Sequence, residues 1–335
     1  MNDNSVAVKV ALIAPVYNLE KYVAEFLDSA IAQTYPNLEI IAVNDGSKDK
    51  SLSILLEYQK IDSRIKVIDK TNGGLCSARN AGLDAMSSDA KYVSFVDPDD
   101  KISERYVESF VMALEKENAD YAVCSYAPFD RSGIIDRKLE VPPYTILSQD
   151  EIADQYWSLH KTAASGAFLN TKMYRVDSIR GLRFDENLRN TEDHEFMTRA
   201  ILGLNKGVIV PEINFFYRKR ASSISSKTND SDWVMYKIYS SLDIEKYTPT
   251  AQQSIIRFCD TNRLIALRYF YSSNQFTKEW ISNYIAEQMK IPLRSKTLKN
   301  FFRHKMLYLG YWVNRFYYSL SFKNKRRKIN PNYFP

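Results

Sequence analysis

Three carboxylates directly follow a short apolar run in the first third of the chain. They are Asp97, Asp99 and Asp100. The apolar run Val93–Val96 is typical of a strand buried on both faces, and Pro98 ends it because proline has no N–H to donate. Three like charges this close repel one another unless a cation lies between them. The pattern therefore predicts a cation site at the carboxyl end of a strand, or alternatively an acidic loop that caps the next helix through Asp100 or Ser103.

Strands and helices alternate around this acidic loop. Strands are predicted at Lys9–Ala14, Leu38–Val43, Ile65–Ile68 and Tyr92–Val96, and helices at Leu19–Thr34, from Asp49 or Ser51 to beyond Tyr58, at Leu75–Met86, and from Ile102 to about Glu117. A strand, a loop and a helix recur about every 25–30 residues, which indicates an α/β fold with a mostly parallel central sheet and flanking helices. Each polar loop follows a strand, so these loops meet at one edge of the sheet.

The later part of the chain gives shorter signals. Strands are predicted near Asp120–Tyr126, at Val208–Val210 and at Ile213–Tyr217, and a helix at Ser148–Leu159. A second pair of acids, Glu192 and Asp193, begins a predicted helix that runs through Leu202, with Asn190 or Thr191 as its cap. From Asp232 onward the pattern is helical and aromatic.

Composition limits the class of protein. The chain has 335 residues, of which 45% are apolar and 26% charged, so it is an ordinary globular protein with one large domain or two. Its three cysteines, Cys76, Cys124 and Cys259, lack the spacing of a disulfide framework or a zinc site, which suits a reducing compartment. We expect no signal peptide and no membrane span, because the N-terminus is polar and no run of about 18 apolar residues occurs.

The net charge of +6 is unevenly distributed. After Glu287 the chain has twelve Lys and Arg and no Asp or Glu, whereas the first 287 residues carry 34 basic and 40 acidic side chains. Within this basic tail, Phe301–Trp312 mixes large apolar and basic residues at helical spacing, and Lys323–Lys328 is almost wholly basic. Basic amphipathic helices bind anionic membrane surfaces. The alternative is a helical domain that packs on the body of the protein or on a second subunit.

Six loop sequences occur in order along the first two-thirds of the chain. They are Pro15-Val16-Tyr17-Asn18, Val43-Asn44-Asp45-Gly46-Ser47-Lys48-Asp49, Asn72-Gly73-Gly74, Ala78-Arg79-Asn80-Ala81-Gly82-Leu83, Phe95-Val96-Asp97-Pro98-Asp99-Asp100 and Glu192-Asp193. Together they resemble the family 2 inverting glycosyltransferases of the GT-A fold, over about residues 6–225. One piece alone is weak, since Asn-Asp-Gly-Ser is a common turn, but six in order are a specific signal.

The resemblance implies that the chain moves a sugar from a nucleotide-diphosphate donor, with UDP as the expected nucleotide, to a hydroxyl of a saccharide acceptor. It also implies Mn²⁺ or Mg²⁺, a hard cation that would offset the charge of a diphosphate leaving group. On family analogy Asp99 is the direct metal ligand, and Asp97 lies beside the metal and holds the ribose or the donor sugar. Asp100 either orients these two acids or caps the next helix.

The nucleotide-binding residues implied by the resemblance follow the first three strands. Asp45 would accept a hydrogen bond from the imide N–H of uracil, and Asn72 would lie nearby. Pro15 and Tyr17 would enclose the base, Tyr17 by stacking. Asp45 could instead stabilise its own turn, and Tyr17 could instead belong to the core.

Three arginines are candidates for binding the diphosphate. Arg79 would contact it as a forked cation, or would otherwise lie on a helix surface and pair with Asp84 or Asp99. Arg218 and Arg220 resemble the loop that closes on the diphosphate in relatives, although a basic surface loop is the alternative.

The second acid pair supplies the base in the resemblance. An inverting transfer needs one carboxylate on the acceptor hydroxyl, opposite the leaving group. In the family the second acid of the pair has this role, so Asp193 is the expected base and Glu192 the residue that binds the acceptor sugar. Both could otherwise be first-turn acids that complement the helix dipole.

These patterns predict two parts of the chain, a GT-A domain at 1–228 and a helical region at 229–335 that is basic from about residue 288. The expected location is cytoplasmic, at the inner face of the cell membrane, with a lipid-linked saccharide as acceptor, no nucleic-acid partner and a homo-oligomer as a further option. A non-catalytic scaffold with a nucleotide-sugar fold is the alternative function, and a missing base or metal acid would favour it. A nucleotidyltransferase would carry a Gly-rich loop after the first strand, where Pro15–Asn18 has no glycine.

Overall fold

The computed structural model of this chain describes residues 7–130, 133–135, 141–157, 168–188 and 191–220, and scattered positions between 245 and 286. The chain separates into two compact units, Met1–Arg220 and Ala221–Pro335. The first unit contains all the helices and strands whose bounds follow.

The first unit alternates strands and helices. Its strands are β1 (Lys9–Val16), β2 (Leu38–Asp45), β3 (Ile65–Lys70), β4 (Ala90–Phe95), β5 (Lys101–Ile102), β6 (Tyr121–Asp130), β7 (Gly133–Ile134), β8 (Thr145–Ser148), β9 (Lys172–Arg175) and β10 (Lys206–Arg218). Its α-helices are α1 (Val23–Ile31), α2 (Ser51–Ile61), α3 (Leu75–Ala85), α4 (Tyr106–Glu117), α5 (Gln149–Trp157) and α6 (Glu192–Leu202), with short 3-10 helices at Leu169–Thr171 and Val176–Ile179.

All described strands belong to one mixed sheet with the order β3-β2-β1-β4-β9-β6-β10-β5, and β7 and β8 pair with β6 and β10. The half formed by β3, β2, β1 and β4 is parallel, as predicted. In the other half only β6 and β10 pair in parallel. Strand β9 lies between β4 and β6 and is antiparallel to both, and β5, β7 and β8 also pair antiparallel. The α/β architecture predicted from the sequence is therefore confirmed, with a larger antiparallel share than the repeat suggested.

The core lies on both faces of the parallel half. Val10, Leu12 and Ala14 of β1 are fully buried and belong to one cluster with Phe26 and Leu27 of α1. Fully burying such a side chain stabilises the fold by about 1.5–3 kcal/mol. On α3, Gly82 lets the helix approach β1 closely, since a Cβ there would lie 2.4 Å from Cγ2 of Ile13.

The first helix begins later than its apolar spacing predicts. The backbone N–H groups of Asn18, Leu19 and Glu20 donate to the side chains of Ser47 (3.0 Å), Ser51 (2.8 Å) and Asp49 (3.0 Å) in the loop after β2. The residues before α1 are thus held by side chains of a neighbouring loop, and α1 starts at Val23 instead of Leu19.

The predicted caps of α4 are wrong. Its N-cap residue is Arg105, while the side chain of Asp100 accepts the backbone N–H of Arg218 at 2.7 Å and that of Ser103 bonds to Asn214. Both candidate caps are therefore engaged by β10, which excludes the reading of the acidic loop as a simple helix cap.

Two predicted strands near the end of the first unit form the single strand β10. Its pairing register with β6 shifts between Val210 and Ile213, where Pro211 interrupts the sequence. A proline cannot donate to the ladder, so the strand continues past it only with a local irregularity.

The second unit has few described residues. Those at 249, 252, 253, 255, 256 and 259 and at 278, 279, 282, 283, 285 and 286 are helical, and Ile255 and Ile285 among them are buried. The predicted interaction segments Phe301–Trp312 and Lys323–Lys328 lie outside the described residues, as does Ser222–Ser225 after β10. No helix in the described parts of the chain combines the length and the hydropathy that a membrane span requires.

Candidate active site

The three acids after β4 form a tight group. One carboxylate oxygen from each of Asp97, Asp99 and Asp100 lies within 4.8 Å of the other two. Burial, together with the charge of Asp97, raises the pKa of Asp99 to about 6. Burial likewise raises the pKa of Asp100, with further contributions from the charges of Asp99 and Asp97. The ionised group is thus unfavourable until positive charge is placed beside it.

Part of that positive charge comes from the end of β10. Arg220 forms an ion pair with the carboxylate of Asp99, and the Nε of Arg218 donates to the backbone carbonyl of Asp99 at 2.6 Å. Both guanidinium groups lie over the ring of Tyr22, at 5.3 Å and 5.1 Å from its centroid. Both arginines therefore contact the acidic group, and their binding of a diphosphate stays a prediction.

The acidic group fits a hard divalent cation. All three ligand candidates are carboxylates, and neither His nor Cys joins the group among the described residues. Oxygen ligands of this kind suit Mg²⁺ and Mn²⁺ better than zinc. The raised pKa values of Asp99 and Asp100 add a physical reason, because a cation would stabilise the charged carboxylates that burial and the neighbouring acids disfavour.

Asp97 is held on both of its oxygens. Its Oδ1 accepts from Nη2 of Arg79 at 3.1 Å, and its Oδ2 accepts from Nδ2 of Asn170 at 2.8 Å. About a third of its side chain remains exposed, so the carboxylate is fixed in orientation yet open toward solvent.

Arg79 connects the acidic loop to α6. Its Nη1 donates to Oε1 of Glu192 at 3.1 Å, while Nη2 holds Asp97. The arginine is 2% exposed, and its guanidinium lies 5.2 Å from the ring centroid of Phe184. Neither Asp84 nor Asp99, the partners considered for a surface arginine, is bonded to it, and Asp84 pairs with Arg183 instead. Arg79 is therefore an interior cation between two acids that are far apart in sequence.

The two acids of α6 have different surroundings. Glu192 is 9% exposed and paired with Arg79, and burial raises its pKa. Asp193 is half-buried, and its Oδ1 accepts only the N–H of His194 among the bonds that are resolved for it, at 2.8 Å. Thr191 precedes the helix with φ of 63°, a left-handed turn that brings both acids to the first turn. Asp193 is thus the more accessible carboxylate of the pair.

The nucleotide-binding candidates gather at the ends of β1, β2 and β3. Pro15 is buried at the end of β1, whereas Tyr17 is 46% exposed, which excludes a core role for its ring. Asn72 donates to the carbonyl of Asp45 at 2.8 Å. Gly46, the residue after Asp45, has φ of 69°. A Cβ there would lie 2.8 Å from the backbone nitrogen of Asn72, so this close approach requires glycine.

The carboxylate of Asp45 is engaged by the protein. Its Oδ1 accepts from Lys70 Nζ (2.7 Å) and from the N–H of Gly73 (2.9 Å), and its Oδ2 accepts from the N–H of Gly74 (2.8 Å). These contacts are those of the turn-stabilising alternative. A carboxylate oxygen has two acceptor positions, so Oδ2 retains one for a further donor.

Two residues of this site carry no signal in the sequence. Asn170 lies in the 3-10 helix Leu169–Thr171, a segment without clear periodicity, and Glu25 of α1 pairs with Arg218. Neither follows a predicted strand, so the rule that loops gather at one sheet edge does not find them.

Comparison with known proteins gives a consistent family. Residues 11–185 match the family described as Glycosyl transferase family 2. An uncharacterized glycosyltransferase of Haemophilus influenzae is 44% identical over 231 residues, covering 66% of this chain and 68% of that protein. Glycosyltransferase GlyA of Streptococcus pneumoniae is 36% identical over 222 residues, or 65% of this chain and 31% of the relative.

A third relative is the minor teichoic acid biosynthesis protein GgaB of Bacillus subtilis, 30% identical over 246 residues that cover 71% of this chain. The match spans only 26% of GgaB, so this chain corresponds to part of that relative, as it does for GlyA. Among solved structures, S. aureus TarS 1-349 in complex with UDP-GlcNAc has a TM-score of 0.63 at 20% identity, with 90% of each chain covered.

Proposed function

The chain belongs to glycosyl transferase family 2 with the GT-A fold, and from this premise we propose that it transfers a sugar, with inversion, from a UDP-linked donor to a hydroxyl of a saccharide acceptor. Among the described residues, the observation that carries the proposal is the contact of Arg79 with both Asp97 and Glu192. The guanidinium of Arg79 thus connects the acidic group after β4, on the expected donor side, with the acid pair at the start of α6. A leaving group and an attacking hydroxyl need two such carboxylate sites on one cleft.

On the donor side, Asp99 and Asp97 would hold Mn²⁺ or Mg²⁺. The ion would supply charge to offset the diphosphate that leaves. Arg218 and Arg220, which lie at the acidic group, would bind the diphosphate oxygens, since a planar guanidinium matches a phosphate with paired N–H groups. Arg79, which is bonded to Asp97, would add positive charge beside this group.

The nucleoside would lie at the ends of β1, β2 and β3. The exposed ring of Tyr17 and the neighbouring Pro15 would enclose the base, with Asn72 beside them. The free acceptor position on Asp45 would take the imide N–H of uracil. That the neighbour TarS was solved with UDP-GlcNAc supports a uridine nucleotide.

On the acceptor side, Asp193 would remove the proton of the attacking hydroxyl. It is more accessible than Glu192 and is not in the ion pair with Arg79, so it is the carboxylate of the pair that an acceptor hydroxyl can reach. Glu192 would instead hold the acceptor sugar. The base would act on the face of the donor sugar opposite the leaving diphosphate, which gives inversion.

The acceptor would be a lipid-linked saccharide in the synthesis of a cell-surface polysaccharide. The name of the relative GgaB supports a polymer product, and the tail of twelve bases without an acid after Glu287 supports an anionic membrane surface as partner, at the inner face of the cell membrane. A homo-oligomer through the C-terminal region is the competing use of that tail.

A panel of nucleotide sugars tests the proposal. We expect slow hydrolysis or transfer with one or more UDP-sugars in Mn²⁺, inverted configuration at the anomeric carbon of the product, and binding of UDP in preference to GDP and ADP by roughly 1.5–3 kcal/mol, the value of one hydrogen bond to a charged group. Equal affinity for the three nucleotides would leave Asp45 as a turn residue. Absence of turnover and of binding across the whole panel would contradict the function itself and favour a scaffold.

A further inference from the structure

The carboxylate of Asp97 is gripped by two buried side chains that each leave one polar atom unsatisfied. Arg79 and Asn170 are 2% and 4% exposed. Nε of Arg79 and Oδ1 of Asn170 are buried atoms without a hydrogen-bond partner, and four such side-chain atoms are found in the described parts of the chain. Two of the four therefore belong to the two residues that hold one carboxylate.

Such unsatisfied atoms are costly, so their position is informative. Leaving a buried donor or acceptor unpaired costs about as much as a hydrogen bond contributes or more. The side-chain amide of Asn170 cannot be turned over to relieve this cost, because its oxygen would then face Oδ2 of Asp97 and the hydrogen bond to that oxygen would be lost. Buried polar atoms without hydrogen-bond partners are found mainly at functional sites. The amide is therefore oriented for Asp97 and not for the stability of its own surroundings.

The backbone of Asn170 is held by a buried tyrosine. Its backbone carbonyl accepts from the hydroxyl of Tyr106 on α4 at 2.8 Å, and the same hydroxyl lies 2.6 Å from Oγ of Ser94 on β4. Ser94 also donates to the carbonyl of Lys172 at the start of β9. The amide that holds Asp97 is thus tied to the strand that ends in the acidic loop.

We propose that Asn170 and Arg79 form a clamp that sets the orientation of the Asp97 carboxylate for donor binding, and that Asn170 acts as a positioning residue through Asp97. The inference rests on the proposed function, because the donor is the ligand that Asp97 would hold. The clamp fixes both oxygens before the donor arrives, so binding does not have to order them. Through Arg79, the same clamp sets the position of Glu192.

The test compares Asn170→Ala and Asn170→Asp with the exposed control Asn205→Ala. Three quantities are measured: the Kd for UDP in Mn²⁺ by calorimetry, the donor KM, and the melting temperature. We expect Asn170→Ala to raise Kd and KM about tenfold, equivalent to about 1.4 kcal/mol. The melting temperature should stay near that of the control, because the unpaired Oδ1 is removed together with the lost bond.

The aspartate variant distinguishes positioning from packing. Asn170→Asp keeps the shape of the side chain but sets a carboxylate against Asp97, so we expect it to bind UDP more weakly than Asn170→Ala. If Asn170 only filled space, the aspartate variant would bind better than the alanine variant, and the proposal would be overturned. If the aspartate variant does not fold, the alanine variant decides alone, and an unchanged Kd there overturns the clamp.

The two proposals can fail separately. A wild-type protein that binds UDP in Mn²⁺ with the same Kd as the Asn170 variants refutes the clamp and leaves the function standing. A wild-type protein that binds no nucleotide and turns over no donor refutes both.

Discussion

Glu192 and Asp193 are adjacent in the sequence, yet the fold gives their carboxylates different neighbours. Glu192 is buried against the guanidinium of Arg79, whereas Asp193 is partly open. The sequence predicts that acids stand at this helix start, because helix caps and first-turn acids are local signals. It does not predict which acid is paired, since Arg79 is 113 positions away along the chain and meets Glu192 only in the folded protein.

The different surroundings lead to a prediction about the base. We expect Asp193→Asn to lower kcat by about 10²–10⁴-fold, the usual effect of losing a general base, with donor affinity nearly unchanged. Glu192→Gln keeps an acceptor for Arg79 and should affect the acceptor KM more than kcat. Steady-state kinetics on both variants give the answer, and a larger loss of kcat in Glu192→Gln would exchange the two roles.

At the scale of elements, the parallel half of the sheet and the loops at its edge were predictable, whereas the insertion of β9 was not. Buried parallel strands show as apolar runs, and the loops that follow β1 to β4 do collect the predicted residues at one edge. β9 is only four residues long and its first residue is a lysine. A short strand with a charged start has no periodicity to read, and its place between β4 and β6 depends on pairing with both.

The lysine at the start of β9 is itself buried. Lys172 is 0% exposed, and its ammonium group donates to the carbonyl of Phe168 and to Oγ1 of Thr171 at 3.3 Å. Burial lowers its pKa to about 7, although the nearby charge of Asp193 opposes this. Because the folded pKa lies below the unfolded value, the unfolded chain binds more protons above pH 7, and this group makes the protein more stable as pH rises from 7 toward 10.

We therefore expect the stability difference between Lys172→Met and wild type to change with pH. From pH 7 to pH 9 the wild type should gain up to about 1.4 kcal/mol per pH unit relative to the variant. Urea denaturation at pH 6, 7.5 and 9 measures this, with the exposed Lys60→Met as control. A difference that is the same at all three pH values would show that Lys172 does not titrate in the folded protein in this range.

At the scale of the whole molecule, the chain combines an acidic body with a basic end. The first unit ends at Arg220, and its last two arginines, Arg218 and Arg220, contact the acidic loop that follows β4. The acid-free segment begins after Glu287, far beyond this unit. The sequence alone shows the charge pattern, because a charge count does not depend on the fold. The role of the basic segment stays a prediction, because this segment lies outside the described residues.

The membrane role of that segment can be tested in the full-length chain. Five bases of the run Lys323–Lys328 are replaced by Gln, and we expect the variant to sediment less with anionic vesicles at low salt, because each base near such a surface contributes about 1 kcal/mol. A matched control removes five exposed bases from the body: Lys50, Lys60, Lys116, Arg180 and Arg183. Equal loss of binding in both variants, or no binding by wild type, would contradict a membrane-docking tail.

The central claim, a metal-dependent donor site built on the acidic loop after β4, is tested most directly by Asp99→Asn. Donor turnover is measured with Mn²⁺ and with EDTA in the wild type, in Asp99→Asn and in the control Asp89→Asn, whose acid is exposed. We expect turnover to disappear in EDTA for wild type and control, and to be absent in Asp99→Asn under both conditions. The fold should remain intact, since the raised pKa of Asp99 means that its charge is unfavourable there. Full activity of Asp99→Asn in EDTA would contradict the account.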